Sequence, residues 1–101
     1  MDTEYVKVNG EKFHVKNHRL ILGDLGIKNI EDIPNLDNLA DLKELYLYNN
    51  KINKLRGLNK LRQLEKLNLY GNRIKRIENL QQLTNLKVLY LSENEISKIR
   101  G

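Results

Sequence analysis

A 22-residue repeat sets the narrowest limits on what this chain can fold into. Leu42, Leu64 and Leu86 fall in register, as do Leu45, Leu67 and Leu89, and Leu47, Leu69 and Leu91. The same spacing aligns Asn50, Asn72 and Asn94, then Ile52, Ile74 and Ile96, then Leu55, Ile77 and Ile99. Leu58 with Leu80 and Leu61 with Leu83 complete a unit that reads L-x-x-L-x-L-x-x-N-x-I-x-x-[LI]-x-x-L-x-x-L. A period of this length is the mark of a solenoid, in which no coil buries its apolar face alone and stacked neighbours share one core.

Two shorter periods inside the unit assign its parts. The alternation at Leu45-Tyr46-Leu47, Leu67-Asn68-Leu69 and Leu89-Tyr90-Leu91 predicts short strands with one buried face. The three-residue spacing that follows fits 3-10 or irregular turns, where positions i and i+3 point the same way. One strand and one return per unit make a coil, and stacked coils place the strands in a parallel sheet. The repeated Asn stands where the chain leaves the strand. Its amide carries both donors and an acceptor, which suits it to satisfying backbone groups in a buried bend.

The pattern resembles the leucine-rich-repeat superfamily, specifically the short 22-residue class found in a regulatory subunit of protein phosphatase 1 and in related bacterial and archaeal proteins. The resemblance covers about residues 20 to 101. It implies an α/β fold: a horseshoe-shaped leucine-rich-repeat solenoid with a parallel sheet on its concave face and short 3-10 or helical turns on its convex face. It also implies protein recognition through the concave face. The family motif contains no catalytic residue, so none is carried over.

Upstream the repeat continues imperfectly. Leu20-Ile21-Leu22 serves as a first strand, and at an offset of 25 Ile27, Ile30 and Ile33 match Ile52, Leu55 and Leu58. Leu25 then occupies the Asn position, so that bend is expected to close differently. The three extra residues are placed near Pro34-Asn35-Leu36-Asp37, with Pro at the start of a short helix. Before it, Tyr5 to Val8, Asn9-Gly10 and Glu11 to Val15 read as a β-hairpin, because Asn-Gly is the preferred type I′ pair. Pairing Val8 with Glu11 sets Val6 opposite Phe13, and Val6, Val8, Phe13 and Val15 share a face that can lie over the first coil. The expected organisation is one domain over 1–101, with a hairpin cap at 1–18 and repeats over 19–101, the last incomplete.

The repeat stops at Gly101 about halfway through a unit. Leu86, Leu89, Leu91, Ile96 and Ile99 are therefore expected beside an open parallel edge, a liability that proteins normally cover. The expectation is self-association through this last coil, with continuation in a longer chain or simple exposure of the edge as the alternatives.

Composition narrows the function classes. The chain has no Cys, so no disulfide framework or thiolate metal site is expected, and nothing favours an oxidising compartment. Met1-Asp2-Thr3-Glu4 leads into no apolar run of the kind a signal peptide needs, and no apolar stretch approaches the roughly 20 residues of a membrane span. A cytoplasmic location is expected. His14 and His18 are the only histidines, and a strand with its following turn does not hold i and i+4 together as a helix does, so no metal is expected. Asp37 and Asp41 suit a solvated turn. Ser92 and Ser97 lie far along the chain from either histidine, and neither a P-loop nor a dinucleotide-binding glycine pattern is present. No enzyme activity and no cofactor are expected.

Two surfaces remain. Strand positions between the leucines face the concave side and collect Arg19, Ile21, Glu44, Tyr46, Tyr48, Lys66, Asn68, Tyr70, Val88, Tyr90 and Ser92, four of the five tyrosines among them. Tyrosine offers rigid amphipathic contact area and is enriched at binding hot spots, although strands favour it in any case. The second surface is a basic stripe of Lys54, Arg76 and Lys98, with Lys51, Arg56, Arg73, Lys75 and Arg100 nearby. It belongs to a charge asymmetry: residues 1–50 hold 6 Lys/Arg against 9 Asp/Glu, and residues 51–101 hold 12 against 4. A protein partner at the concave face is the leading expectation. An RNA-associated scaffold using the basic half is the alternative, against which the stripe offers no aromatics and is more simply a solvated face.

Overall fold

A computed structural model describes residues 4–99, with side chains described to Ser97. The strands are β1 (Tyr5–Val8), β2 (Glu11–His14), β3 (Arg19–Ile21), β4 (Glu44–Tyr46), β5 (Lys66–Asn68), β6 (Arg76–Ile77), β7 (Val88–Tyr90) and β8 (Lys98–Ile99). Strands β3, β4, β5 and β7 form one parallel sheet in that order. The first pairing joins Leu20 to Leu45, an offset of 25, and the next two join Leu45 to Leu67 and Leu67 to Leu89, offsets of 22. The longer first coil is thus as expected.

The core is a single column of leucine and isoleucine running through the stack. Leu20, Leu45 and Leu67 are all 0% exposed, and the second inward row, Leu22, Leu47 and Leu69, is equally sealed. Opposite the sheet, the three-residue spacing appears as a chain of i+3 to i hydrogen bonds: Leu61 N–H to Leu58 O and Leu64 N–H to Leu61 O in one coil, Leu83 to Leu80 and Leu86 to Leu83 in the next. In the first coil the series tightens into two 3-10 turns, Ile30–Asp32 and Leu36–Asn38. Pro34 does not open the second of these turns, as the sequence suggested. It lies one residue before Asn35, which takes a left-handed φ of 70° as N-cap.

Each repeated Asn ties its own coil to the one before it. The Asn72 amide donates to Leu69 O in its own coil and to Leu47 O in the previous one, while its oxygen accepts from Ile52 N–H. Asn50 does the same one coil earlier, donating to Leu22 O and Leu47 O and accepting from both Leu25 and Ile27 N–H. This explains Leu25: the first bend is closed by the next coil's Asn, and among the described residues it is preceded by the β1–β2 hairpin, not by a coil that an Asn of its own could bridge. No described buried side-chain N or O lacks a hydrogen-bond partner.

Two features were not anticipated. β6 and β8 form a second, two-stranded parallel ladder, pairing Arg76 with Lys98 and Ile77 with Ile99. A second tight turn also follows the Asn9-Gly10 hairpin. Lys16 and Arg19 exchange both backbone hydrogen bonds around Asn17 and His18, whose φ values are 52° and 61°. The hairpin itself has the expected register, Val6 opposite Phe13, and Val6 is buried in the core.

Every coil turns out of the sheet through a left-handed residue at one position: Asp24, Asn49, Gly71 and Glu93. This region costs an ordinary L-residue about 1–2 kcal/mol, and Gly and Asn tolerate it best. Glu93 is exposed and makes no side-chain hydrogen bond among the described residues, so nothing offsets its strain. A Glu93→Asn variant is therefore expected to gain about 0.5–1 kcal/mol, seen as a raised urea midpoint at unchanged slope. A midpoint at or below that of the parent would contradict this account.

Candidate functional site

The parallel register arranges the outward strand positions in rows across the coils. Arg19, Glu44, Lys66 and Val88 form one row, and Ile21, Tyr46, Asn68 and Tyr90 the next. Backbone bonds from Asp24 N–H to Tyr48 O, Asn49 N–H to Tyr70 O and Gly71 N–H to Ser92 O extend the ladder, setting Gly23, Tyr48, Tyr70 and Ser92 in a third row. All eleven concave residues expected from the sequence therefore lie on one face.

They are not equivalent. The Tyr46 hydroxyl donates to Glu44 Oε1 at 2.6 Å, and Arg19 Nε lies 3.4 Å from the same oxygen. The Tyr46 hydrogen bond, followed by the positive charges of Arg19 and Lys66, holds the Glu44 carboxyl below its usual range against the opposing effect of burial. The same bond raises the Tyr46 phenol above its ordinary value. Tyr48 is committed differently: a Cβ added to Gly23 would collide with its ring, so the ring packs against that glycine. Tyr46 and Tyr48 thus serve the sheet, whereas Ile21, Tyr70 and Tyr90 are 50%, 44% and 48% exposed. The register would have revealed both contacts, since Arg19 to Glu44 and Gly23 to Tyr48 are each 25 apart.

Glu44 is ionised more readily folded than unfolded, so its contribution to stability is complete at neutral pH and lost as pH falls through its lowered folded-state pKa. In a Tyr46→Phe variant its carboxyl is expected to titrate at higher pH, read by carboxyl carbon NMR. An unmoved midpoint would remove the hydroxyl as the main cause.

Elsewhere, Lys54 and Arg76 are exposed on successive coils, and Arg76 stands in backbone register with Lys98. The side chains of Lys98 and Ile99, and Arg100 entirely, lie outside the described residues, as do Met1, Asp2 and Thr3. Leu86, Leu89, Leu91 and Ile96 are only half-buried, in contrast to Leu64, Leu67, Leu69 and Ile74 one coil earlier. His14 lies in the hairpin against Tyr5, with ring centroids 5.4 Å apart, and His18 lies in the Asn17-His18 turn. Ser92 and Ser97 sit in the last described coil. Among the described residues no group of three or more His, Asp or Glu could hold a metal ion, and no helix is long and apolar enough to cross a membrane.

A parallel-sheet solenoid sealed by leucine columns and bridged coil to coil by asparagine defines a repeat-built solenoid protein. Comparison with known proteins places it further. Residues 62–101 match the family described as Leucine Rich repeats (2 copies). Among solved structures, the chain is similar to the leucine-rich-repeat ectodomain of the receptor kinase SOBIR1 from Arabidopsis thaliana, at 27% identity and a TM-score of 0.58 over 92% of this chain. It spans about half of that ectodomain's length, 52%. No curated protein matches it in sequence. Residues 62–101 thus carry the leucine-rich-repeat signature, and the described residues have the fold of a leucine-rich-repeat solenoid. Domains of this family generally mediate protein–protein interaction and are typically non-catalytic.

Proposed function

We propose that this chain is a non-catalytic interaction module that binds a protein partner through its concave sheet. The observation that carries the reading is where the exposed large hydrophobic side chains fall. Ile21, Tyr70 and Tyr90 are the large apolar or aromatic residues left most exposed among those described, and all three lie on the concave rows. Exposed apolar area gathered on one face of a folded protein marks a contact surface, and tyrosine is a preferred anchor in such contacts. Arg19, Glu44, Lys66, Asn68, Val88 and Ser92 form its polar surround, with Tyr46 and Tyr48 fixing the sheet beneath. The cysteine-free composition suits a cytoplasmic setting.

The test is a pull-down from the native source with parent and Ile21→Ser/Tyr70→Ser/Tyr90→Ser chains as paired baits. A partner retained by the parent and lost by the triple variant supports the reading. A partner retained equally by both overturns it. Generic RNA in the same format decides between this reading and an RNA scaffold: salt-sensitive retention that depends on Lys54 and Arg76 favours RNA.

A second reading, self-association through the last described coil, is favoured by the half-exposure of Leu86, Leu89, Leu91 and Ile96 and by β7 pairing on one side only among the described residues. Light scattering across a concentration series tests it, and a strict monomer at the highest concentration excludes it.

A further inference from the structure

We infer that the concave face selects an acidic peptide segment, laid along the solenoid axis with its carboxylates toward the starts of the strands. The inference rests on the concave face being the contact surface and adds the chemistry of what it contacts.

Charged residues border the sheet. Lys43 N–H donates to His18 O, Glu65 N–H to Lys43 O and Lys87 N–H to Glu65 O, so these four residues stand in register where the chain enters the strands. With the adjoining row of Arg19, Glu44 and Lys66, this edge carries four Lys/Arg cations against two carboxylates. Arg19 and Glu44 already engage one another, and theirs is the only ion pair among the described residues. Lys43 and Lys87 are exposed and outside any ion pair among the described residues, and Lys66, whose charge also acts on Glu44, stands on the coil between them, so three successive coils present a lysine. At the opposite edge stand Asp24, Asn49, Gly71 and Glu93, whose only charges are negative. The exposed Ile21, Tyr70 and Tyr90 lie between the two edges.

A surface that is basic along one border, apolar in the middle and acidic along the other fixes both the composition and the orientation of its occupant. Apolar side chains meet the tyrosines while carboxylates meet the lysines, and the reversed placement sets like charges together. Four strands about 4.8 Å apart give the trough a length near 14 Å, matched by roughly ten residues of helix. RNA would find the same lysines and tyrosines. Its continuous phosphate charge, however, would also lie against Asp24 and Glu93 at the opposite edge, which disfavours it relative to a peptide that can restrict its carboxylates to one side.

The test is an NMR titration of the full chain with synthetic probes of about 12 residues. They are a Glu/Leu peptide, its Lys/Leu counterpart, a Glu/Ser peptide and an oligouridine. The Glu/Leu peptide is expected to shift the amides of Lys43, Lys66, Lys87 and Tyr70. Its affinity is expected to fall about tenfold in a Lys43→Glu/Lys66→Glu/Lys87→Glu variant and to hold in a Lys54→Glu/Arg76→Glu control. Equal binding of the Lys/Leu peptide on the same residues overturns the charge inference and leaves the concave reading standing. Shifts confined to residues off the concave rows overturn both. Tighter binding of oligouridine at these lysines, an unchanged affinity in the triple variant, or no shift at about millimolar Glu/Leu peptide, each overturns the inference.

Discussion

Asn72→Ala is expected to lower the stability of this protein by about 2–3 kcal/mol, although it removes only a few atoms. The side chain is 6% exposed and holds together two coils. It donates to Leu69 O at 3.0 Å and to Leu47 O at 2.9 Å, and accepts from Ile52 N–H at 3.0 Å. Truncation strands the Ile52 N–H and takes one of two donors from each carbonyl, because Leu47 O keeps Asn50 and Leu69 O keeps Asn94, in a bend too enclosed for water to reach freely. A buried group left with no partner costs about 1–3 kcal/mol, the two weakened carbonyls add a smaller loss, and contributions within one site do not simply add. Asn94→Ala removes an equivalent set, donating to Leu69 O and Leu91 O and accepting from Ile74 N–H, but from a half-buried position. Solvent can replace part of what it supplied, and the expected loss is about half as large. Urea unfolding of the two variants side by side measures both. A loss below about 1 kcal/mol at Asn72 would show that the bend reorganises, and the coil-to-coil bridge would not be the source of its stability.

What the sequence disclosed and what it concealed follow from how each element is encoded. The leucine columns and the asparagine ladder depend on side chains repeating at a fixed interval, so their register could be read directly, including the 25-residue first coil. The Asn9-Gly10 hairpin was legible because both residues are the ones that tolerate positive φ. Its successor at Asn17-His18 adopts the same turn, but histidine at its second position carries no comparable signal. The β6–β8 ladder was hidden for another reason. It is two residues long and arises from how backbones of adjacent coils meet, which no side-chain pattern announces.

The concave face was half legible. Its membership followed from strand alternation, yet the division of labour within it did not. Tyr46 and Tyr70 look alike in the repeat, and only cross-strand neighbours separate them: Glu44 takes the hydroxyl of one, while the other projects beyond any such partner. Reading across coils at the pairing offset, rather than along the repeat, is what exposes these relations. It is also what brings Lys43, Lys66 and Lys87 into one border, because Glu65 interrupts the repeat column of Lys43 and Lys87 and Lys66 stands one position further on.

Leu67→Ala should cost about 3–4 kcal/mol, and Leu89→Ala about 1–2 kcal/mol, although the two leucines hold the same repeat position. Leu67 is 0% exposed and pairs in register with Leu45 on one side and Leu89 on the other. Removing its side chain opens a cavity that strands on both sides prevent from collapsing, which puts the loss in the upper part of the range for such truncations. Leu89 is half-buried and has a paired neighbour on one side only among the described residues, so the space its side chain leaves is open to solvent. In a solenoid, stability is close to a sum over coils and the interfaces between them, and a coil with one interface contributes less. The comparison therefore also reports on the state of the last described coil in solution. Equal losses for the two variants would mean that Leu89 is covered as completely as Leu67, and a Leu89→Ala loss that grows with protein concentration would assign that cover to a second copy. The smaller, concentration-independent loss is the result expected if the edge stands open to solvent.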